Sequence, residues 1–472
     1  EGYAGAVPAF GGRRQYSFNS LTYRRYALRI VTALAERYGG RASVKYWQVD
    51  NELGHEGSDM DFSEASLTEW RRWLALRYND SITRLNEDWG TVFWGATYGS
   101  FAEIPLPRWT IPGGAARPNE NFRSNLHPGM LLDFRRFRRD SVTAFAELQV
   151  GALSAKKVHG CVTTNAPGGF WGKALDHNDI FAKMDLPSYD NYPVWGGSLQ
   201  APLPSTVALA LDTVRGWSPD FPARSGWMVA EQLIGAQGHD IIGYTPRPGQ
   251  VVAWAMSAFL HGAIGLSFFR YRAAVFGQEQ FCYGILDHTT PRGSGRKWRE
   301  AKQVYALARA HEKLWMAPME AAVALLYDAE NIFAWQAQPQ SEAFSFENEA
   351  HRLYHPFWRN GVAVDVISTR RLLAVFNSTR SLLDRYRVLI LPALMLTNDE
   401  LVSRVTDFVK GGGSLWVGFR SDLKDSRSQV RRQPSRLAQL GGVEVVEIES
   451  LNMNGSVPVQ VTLRRAATSG PG

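Results

Sequence analysis

Short apolar strands alternate with amphipathic helices along most of this chain, and that rhythm constrains the fold more than any single residue. Residues 20–38 (SLTYRRYALRIVTALAERY) place Ala27, Ile30, Val31 and Leu34 at helical spacing, and Gly39-Gly40 stop the pattern. VKYWQV (44–49) then reads as a strand and EASLTEWRRWLALRY (64–78) as a helix, with Ser66 and Glu69 spaced as a capping box. Four more units follow: VHGCVTT before DHNDIFAKM, DLPSYDNYP before STVALALDTVRG, GWMVAEQ before VVAWAMSAFLHG, and IGLSFFRYR before a helix near 296–314. Continuous apolar strands alternating with helices make a parallel sheet covered on both faces.

In such folds the chemistry gathers at the carboxyl ends of the strands. The polar residues of this chain sit there: Asn51-Glu52, Asn165, Tyr189-Asp190-Asn191, Glu231-Gln232 and Arg270. The pattern predicts a (β/α)8 TIM barrel over 1–317. Five units are visible, so the barrel is expected to lack its first strands, those before residue 1. Past Pro318 the rhythm restarts with AAVALLY, VAVDVI, YRVLILP and SLWVG as strands, which predicts a smaller α/β domain over 318–450. Residues 451–472 are too few for a domain and read as the start of a truncated C-terminal segment. Gly411-Gly412-Gly413 precede a strand and lack the Lys-Ser/Thr of a phosphate loop, so they read as a helix stop.

Composition narrows the function classes. The net charge is +7, but the arginines are scattered rather than gathered in one stripe, which argues against a nucleic-acid partner. No apolar run approaches the roughly 20 residues of a membrane span. Two cysteines, Cys161 and Cys282, exclude a disulfide scaffold and a Cys-based zinc cluster. They are compatible with a reducing compartment, and a cytoplasmic location is the expectation. With 16 Trp in 472 residues, the aromatics serve either a well-filled core or sugar-stacking surfaces; Trp171 and Trp195 are candidates for the latter.

The sharpest chemical signal is a pair of carboxylates. Glu52 and Glu231 each end a strand, and in a barrel both face one central pocket. Glycoside hydrolysis needs such a pair, one protonated for the leaving oxygen and one ionised. A separation of about 5–5.5 Å gives retention of configuration and a wider one inversion. Asn51 supplies an amide beside Glu52 for a sugar hydroxyl. Asn165 and Tyr189 are candidate substrate-binding residues of the pocket, and one of the tyrosines 189 and 192 is a candidate support for Glu231. His55, Glu56, Asp59 and Asp61 read as a solvated acidic loop. Cys282 has no His partner to make it a nucleophile.

In FGGRRQY (10–16), YWQVDNELG (46–54), LNEDWGTVFW (85–94), VAEQLIG (229–235) and FRYRAAVFGQEQFCYGIL (269–286), the chain resembles glycoside hydrolase family 42, the β-galactosidases. The resemblance implies retaining hydrolysis of terminal β-D-galactosides without a cofactor. It makes Glu52 the acid/base and Glu231 the nucleophile, and gives Arg13, Asn51 and Glu279 sugar contacts. It also implies a flavodoxin-like second domain that forms homotrimer contacts. There are departures. Ser17 stands where the family's first zinc cysteine falls, so no metal is expected. Cys282 and His239 replace the usual His and Trp at two positions that touch galactose. An altered glycone, such as α-L-arabinopyranose or another β-linked sugar, is therefore an alternative. A non-catalytic sugar-binding barrel is the rival from another class.

Overall fold

The computed structural model describes residues 10–107, 126–198, 200–219, 221, 226–239, 241–341, 344–376 and 380–448. Segment 451–472 lies outside them. Within the first half the strands are β1 (Tyr46–Gln48), β2 (Cys161–Thr163), β3 (Asn165–Ala166), β4 (Ser188–Asn191), β5 (Trp227–Leu233) and β6 (Ala263–Phe269). Only Thr164 separates β2 from β3, so the two are one strand with an interruption. β1 pairs with β2, and β3, β4, β5 and β6 pair in that order, all parallel. The result is a five-strand arc of a (β/α)8 barrel, strand by strand as the alternation predicts.

The second half carries β7 (Val323–Tyr327), β8 (Val364–Ser368), β9 (Val388–Leu391) and β10 (Ser414–Val417). They form a parallel sheet in the order β10-β9-β7-β8. Every residue of β7 and β8 is buried, as a sheet covered on both faces requires. The helix Asp399–Lys410 ends at Gly411, which confirms the helix stop.

One local expectation is corrected, and one helix goes unmarked in the sequence. The helix Glu64–Arg77 is capped by Ser63, whose side chain accepts from the Ser66 N–H. Ser66 instead donates its hydroxyl to Asp61 at 2.6 Å, because it lies inside the first turn and is fully buried. The helix Pro128–Ala155 does not stand out in the sequence, because its buried positions include Asp133, Arg136 and Arg138, which read as surface residues. Arg136 is paired internally, to Asp133 at 2.9 Å and to Glu330 at 2.5 Å.

The two sheets share one apolar core. Trp171 packs on Tyr327 with ring centroids 4.9 Å apart, and the Trp217 indole N–H donates to the Tyr327 hydroxyl at 2.7 Å. Gly216 ends the helix Pro204–Gly216 against β8, where an added Cβ would lie 2.1 Å from the Val366 carbonyl oxygen. Only glycine permits that approach. Among the described residues no helix is long and apolar enough to cross a membrane.

Candidate functional site

β1 runs out at Gln48, and the chain then turns sharply. Val49 is the last residue to reach across to the next strand, its N–H donating to the Thr163 carbonyl at 2.7 Å. Asp50 and Glu52 follow in the left-handed region, with φ of 58° and 45°. Side chains other than glycine pay about 1–3 kcal/mol for that conformation, so it persists only where surrounding bonds enforce it. Asn165, at the start of β3, supplies those bonds. Its Oδ1 accepts from the Glu52 N–H at 2.9 Å and from Gln48 Nε2 at 3.0 Å, and its Nδ2 donates to Asn51 Oδ1 at 3.0 Å.

The Glu52 carboxylate is buried and met by cations. Its Oε2 accepts from Arg14 Nη2 at 2.9 Å, Arg13 Nη2 at 3.2 Å and Asn51 Nδ2 at 3.3 Å. Arg14 also donates to the Asn51 carbonyl at 2.8 Å and to Glu56 at 3.1 Å. Sequence reasoning passed over Arg14, although the Arg13-Arg14 dipeptide was a signal that two guanidinium groups enter together.

Glu231 reaches the same mouth by a register shift. Val229 opposes Tyr189 on β4 and Leu266 on β6. Two pairs further on, Gln232 opposes Asn191 and Phe268. Thus β5 carries one residue more than either neighbour between those positions. Strict alternation would send Glu231 to the same face as the fully buried Val229; the extra residue re-aims it. The Tyr192 hydroxyl donates to Glu231 Oε2 at 2.6 Å. Burial raises the Glu231 carboxyl above its usual value. The charges of Glu52 and Glu279 add to this, and the Tyr192 bond and Arg13 oppose it.

Glu279 lies on the loop after β6. It is held by Arg270 Nη1 at 3.1 Å, with His239 Nε2 at 3.8 Å and Arg13 Nη1 at 4.0 Å. Arg13 thereby bridges Glu52 and Glu279. His239 meets the Trp195 ring edge-on at 5.2 Å, and Trp195 meets Tyr192 at 5.1 Å. Arg13, Asn51, Glu52, Asn165, Glu231, His239 and Glu279 are thus linked in one contact network, which Arg14, Asp190, Tyr192, Trp195 and Arg270 complete. Among the described residues no group of three or more His, Cys, Asp or Glu is placed to hold a metal ion.

Four expectations are corrected here. Tyr189 does not face the site. It alternates with Asp190 on β4, so it points to the helix layer, buried against Phe170 with centroids 5.9 Å apart. Cys282 is fully buried with its thiol toward the Gly238 carbonyl, so it backs the wall of the site and does not line it. Trp171 belongs to the shared core, not to a sugar platform. The acidic stretch after Glu52 is not a solvated loop: Asp59 and Asp61 are buried, Asp59 accepting from the Ala174 N–H at 3.0 Å and Asp61 from Ser17 at 2.5 Å.

Comparison with known proteins gives the family. Residues 2–310 match a family model described as beta-galactosidase, of glycoside hydrolase family 42, and residues 321–469 match one described as beta-galactosidase trimerisation domain. The chain is 34% identical over 455 residues to the beta-galactosidase BgaA of Thermus sp, covering 94% of this chain and 65% of that protein. It is 32% identical over 461 residues to BgaH of Haloferax lucentense, covering 95% of this chain and 64% of that protein. The chain therefore spans just under two thirds of the length of these curated relatives. The crystal structure of beta-galactosidase from Marinomonas ef1 superposes with a TM-score of 0.82 at 31% identity, covering 96% of this chain and 67% of the other. That from Bacillus circulans sp. alkalophilus gives 0.84 at 29% identity, covering 96% and 63%. With the first of the two family models matching well over half of its residues, the chain belongs to glycoside hydrolase family 42.

Proposed function

We propose that the protein is a retaining glycosidase that removes terminal β-D-galactosyl residues by double displacement. One observation carries the reading: Glu52, on the turn just past β1, and Glu231, near the end of β5, stand at the same end of one barrel arc, close enough that the charge of Glu52 raises the proton affinity of Glu231. In the first step Glu231 attacks the anomeric carbon. Glu52 gives its proton to the glycosidic oxygen, and the C–O bond to the leaving group breaks. In the second step Glu52 takes a proton from water, whose oxygen displaces Glu231 from the anomeric carbon. The Tyr192 bond favours the ionised nucleophile, and Arg13, Asn51, His239, Arg270 and Glu279 supply donors and acceptors for sugar hydroxyls. No cofactor enters this chemistry.

A second assignment has its own support. Burial favours a proton on Glu231, and a Glu231 that keeps its proton is suited to the acid role. That reverses the two roles. Azide separates the assignments: it restores turnover of an activated aryl galactoside to an acid/base variant by replacing water as the attacking group. Rescue of Glu52→Ala but not of Glu231→Gln supports the first, and the opposite supports the second.

The reading is tested with nitrophenyl galactosides, arabinopyranosides, glucosides and mannosides on the intact protein, following the anomer of the first product by NMR. Turnover with retention, highest on β-galactosides, is expected. Preference for α-L-arabinopyranosides would move the glycone; binding with no turnover on any sugar would leave a sugar-binding barrel.

The family matches also support a division into a catalytic barrel over 1–317 and a flavodoxin-like domain over 318–450. They support a homotrimer, checked by light scattering. The two unpaired cysteines favour a cytoplasmic location, checked by cell fractionation.

A further inference from the structure

Between the two glutamates lies a third carboxyl that the reaction above does not use. Asp190 opposes Glu231 in the β4–β5 register and is fully buried. Its Oδ2 accepts from Asn165 Nδ2 at 2.6 Å, and its carboxyl also meets that of Glu52. We propose that Asp190, acting through Asn165, is a positioning residue that holds the Asn51–Glu52 turn where proton transfer at Glu52 requires it. The inference rests on the reading of Glu52 and Glu231 as the reacting pair.

The case is one of amide orientation. Asn165 is 1% exposed and all its hydrogen-bonding directions are occupied. Its oxygen serves the Glu52 N–H and Gln48, and its nitrogen serves Asn51 and Asp190. An amide turned over would face its oxygen toward the Asp190 oxygen and its N–H2 toward the Glu52 N–H, two like-with-like contacts with no water to relieve them. The acceptor at Asp190 thus selects the orientation in which Asn165 can receive the Glu52 N–H. That bond matters more here than in an ordinary loop, because Asp50 and Glu52 both hold left-handed backbone that relaxes once its supports go.

Asp190 does this work without its charge. Burial, then the charges of Glu231 and Glu52, raise its carboxyl well above the ordinary range. A neutral carboxyl whose proton is engaged by the Glu52 carboxylate keeps its other oxygen an acceptor for Asn165, and a carboxamide with its N–H2 toward Glu52 does the same.

The test compares Asp190→Ala with Asp190→Asn in the intact protein, reading kcat/KM on dinitrophenyl and methyl β-D-galactosides. A dinitrophenolate leaves without a proton from Glu52; methoxide does not. Asp190→Ala is expected to lose about 100-fold on the methyl glycoside, the usual worth of general acid catalysis, and much less on the dinitrophenyl one. Asp190→Asn is expected to recover most of that loss. Equal losses of Asp190→Ala on both substrates overturn the inference, since a structural defect spares neither. So does an Asp190→Asn variant as impaired as Asp190→Ala. Asn165→Ala must show the same leaving-group selectivity, and it keeps the test decisive if Asp190→Ala fails to fold. Glu231→Gln is the separate control. If it turns over both substrates like the parent, the reading of the pair fails and the inference falls with it; if it is inactive and the Asp190 selectivity is missing, the inference alone fails.

Discussion

The Tyr192 hydroxyl donates to Glu231 Oε2 at 2.6 Å, and of all contacts in the site this one bears most directly on which proton Glu231 keeps. It lowers the proton affinity of a carboxyl that burial raises. Tyr192→Phe removes the donor and leaves the burial. The acid limb of kcat/KM should then move to higher pH, because the ionised form needed for attack appears later. A hydrogen bond to a charged group is worth about 1.5–3 kcal/mol, so the rate on the acid side should fall roughly 10- to 100-fold. A pH–rate profile of the variant checks this; an unmoved acid limb counts against the assignment of Glu231.

Arg14 is the structural partner of Glu52. Its side chain is 3% exposed and that of Glu52 is 9% exposed. Arg14→Ala leaves the Glu52 carboxylate and the Asn51 carbonyl short of a donor in a dry site. Breaking such a pair costs about 3–5 kcal/mol. Urea unfolding should show that loss in the midpoint at constant slope. Loss of activity with unchanged stability would mean that Arg14 acts on substrate instead.

Asp328 caps the helix Ala329–Ala337, accepting from the Glu330 N–H at 2.8 Å and from the Thr369 hydroxyl at 2.6 Å. Burial, aided by the charge of Glu330, pushes its carboxyl up to about 6. Between the unfolded value near 4 and that value the folded chain binds more protons than the unfolded one. Stability therefore falls as pH rises from about 4 to about 6, and the deficit persists above. Asp328→Asn keeps a good capping residue and removes the charge, so it should stabilise the protein by about 2 kcal/mol at pH 7.5. Thermal melts should show the gain at pH 7.5 and its disappearance near pH 4.

Asp212 has the opposite sign. Burial opposes its ionisation, but His261 at 2.8 Å, Arg215 at 2.9 Å and Tyr354 at 2.6 Å overcome it and hold the carboxyl at about 2. Its contribution is complete above the unfolded value near 4 and is lost as pH falls from about 4 to about 2, a loss of roughly 2–3 kcal/mol. Arg215 also pairs with Asp365 on β8 at 2.8 Å, so the network ties the barrel to the second sheet. Acid titration followed by tryptophan fluorescence should show an unfolding limb in that window. In Asp212→Asn that limb should be weaker, on a protein already less stable at pH 7.

Much of this molecule is legible without coordinates because its signals are local. Apolar runs of four to seven residues place every long strand, and a Gly stop or a Ser or Asp cap bounds most helices. The position of Glu52 and Glu231 at strand ends follows from the same punctuation. What lies outside local patterning was misread for particular reasons. Tyr189 and Tyr192 are alike in composition and neighbourhood; only the pleat of β4 sends the first outward and lets the second, beyond the strand, turn back to Glu231. Asp59, Asp61, Arg136 and Arg138 read as surface residues, since their partners come from elsewhere in the chain.

The sequence by itself determined the alternation, and with it a parallel barrel arc, a second α/β sheet and two carboxylates at one end of the arc. Only the tertiary structure decided where those carboxylates point. The extra residue of β5 exists only against the registers of β4 and β6, and without it the face of Glu231 is that of Val229. The left-handed turn at Glu52 is likewise held by Asn165, which lies 113 residues away. Register and long-range hydrogen bonds are properties of pairs of segments, and no single segment encodes them.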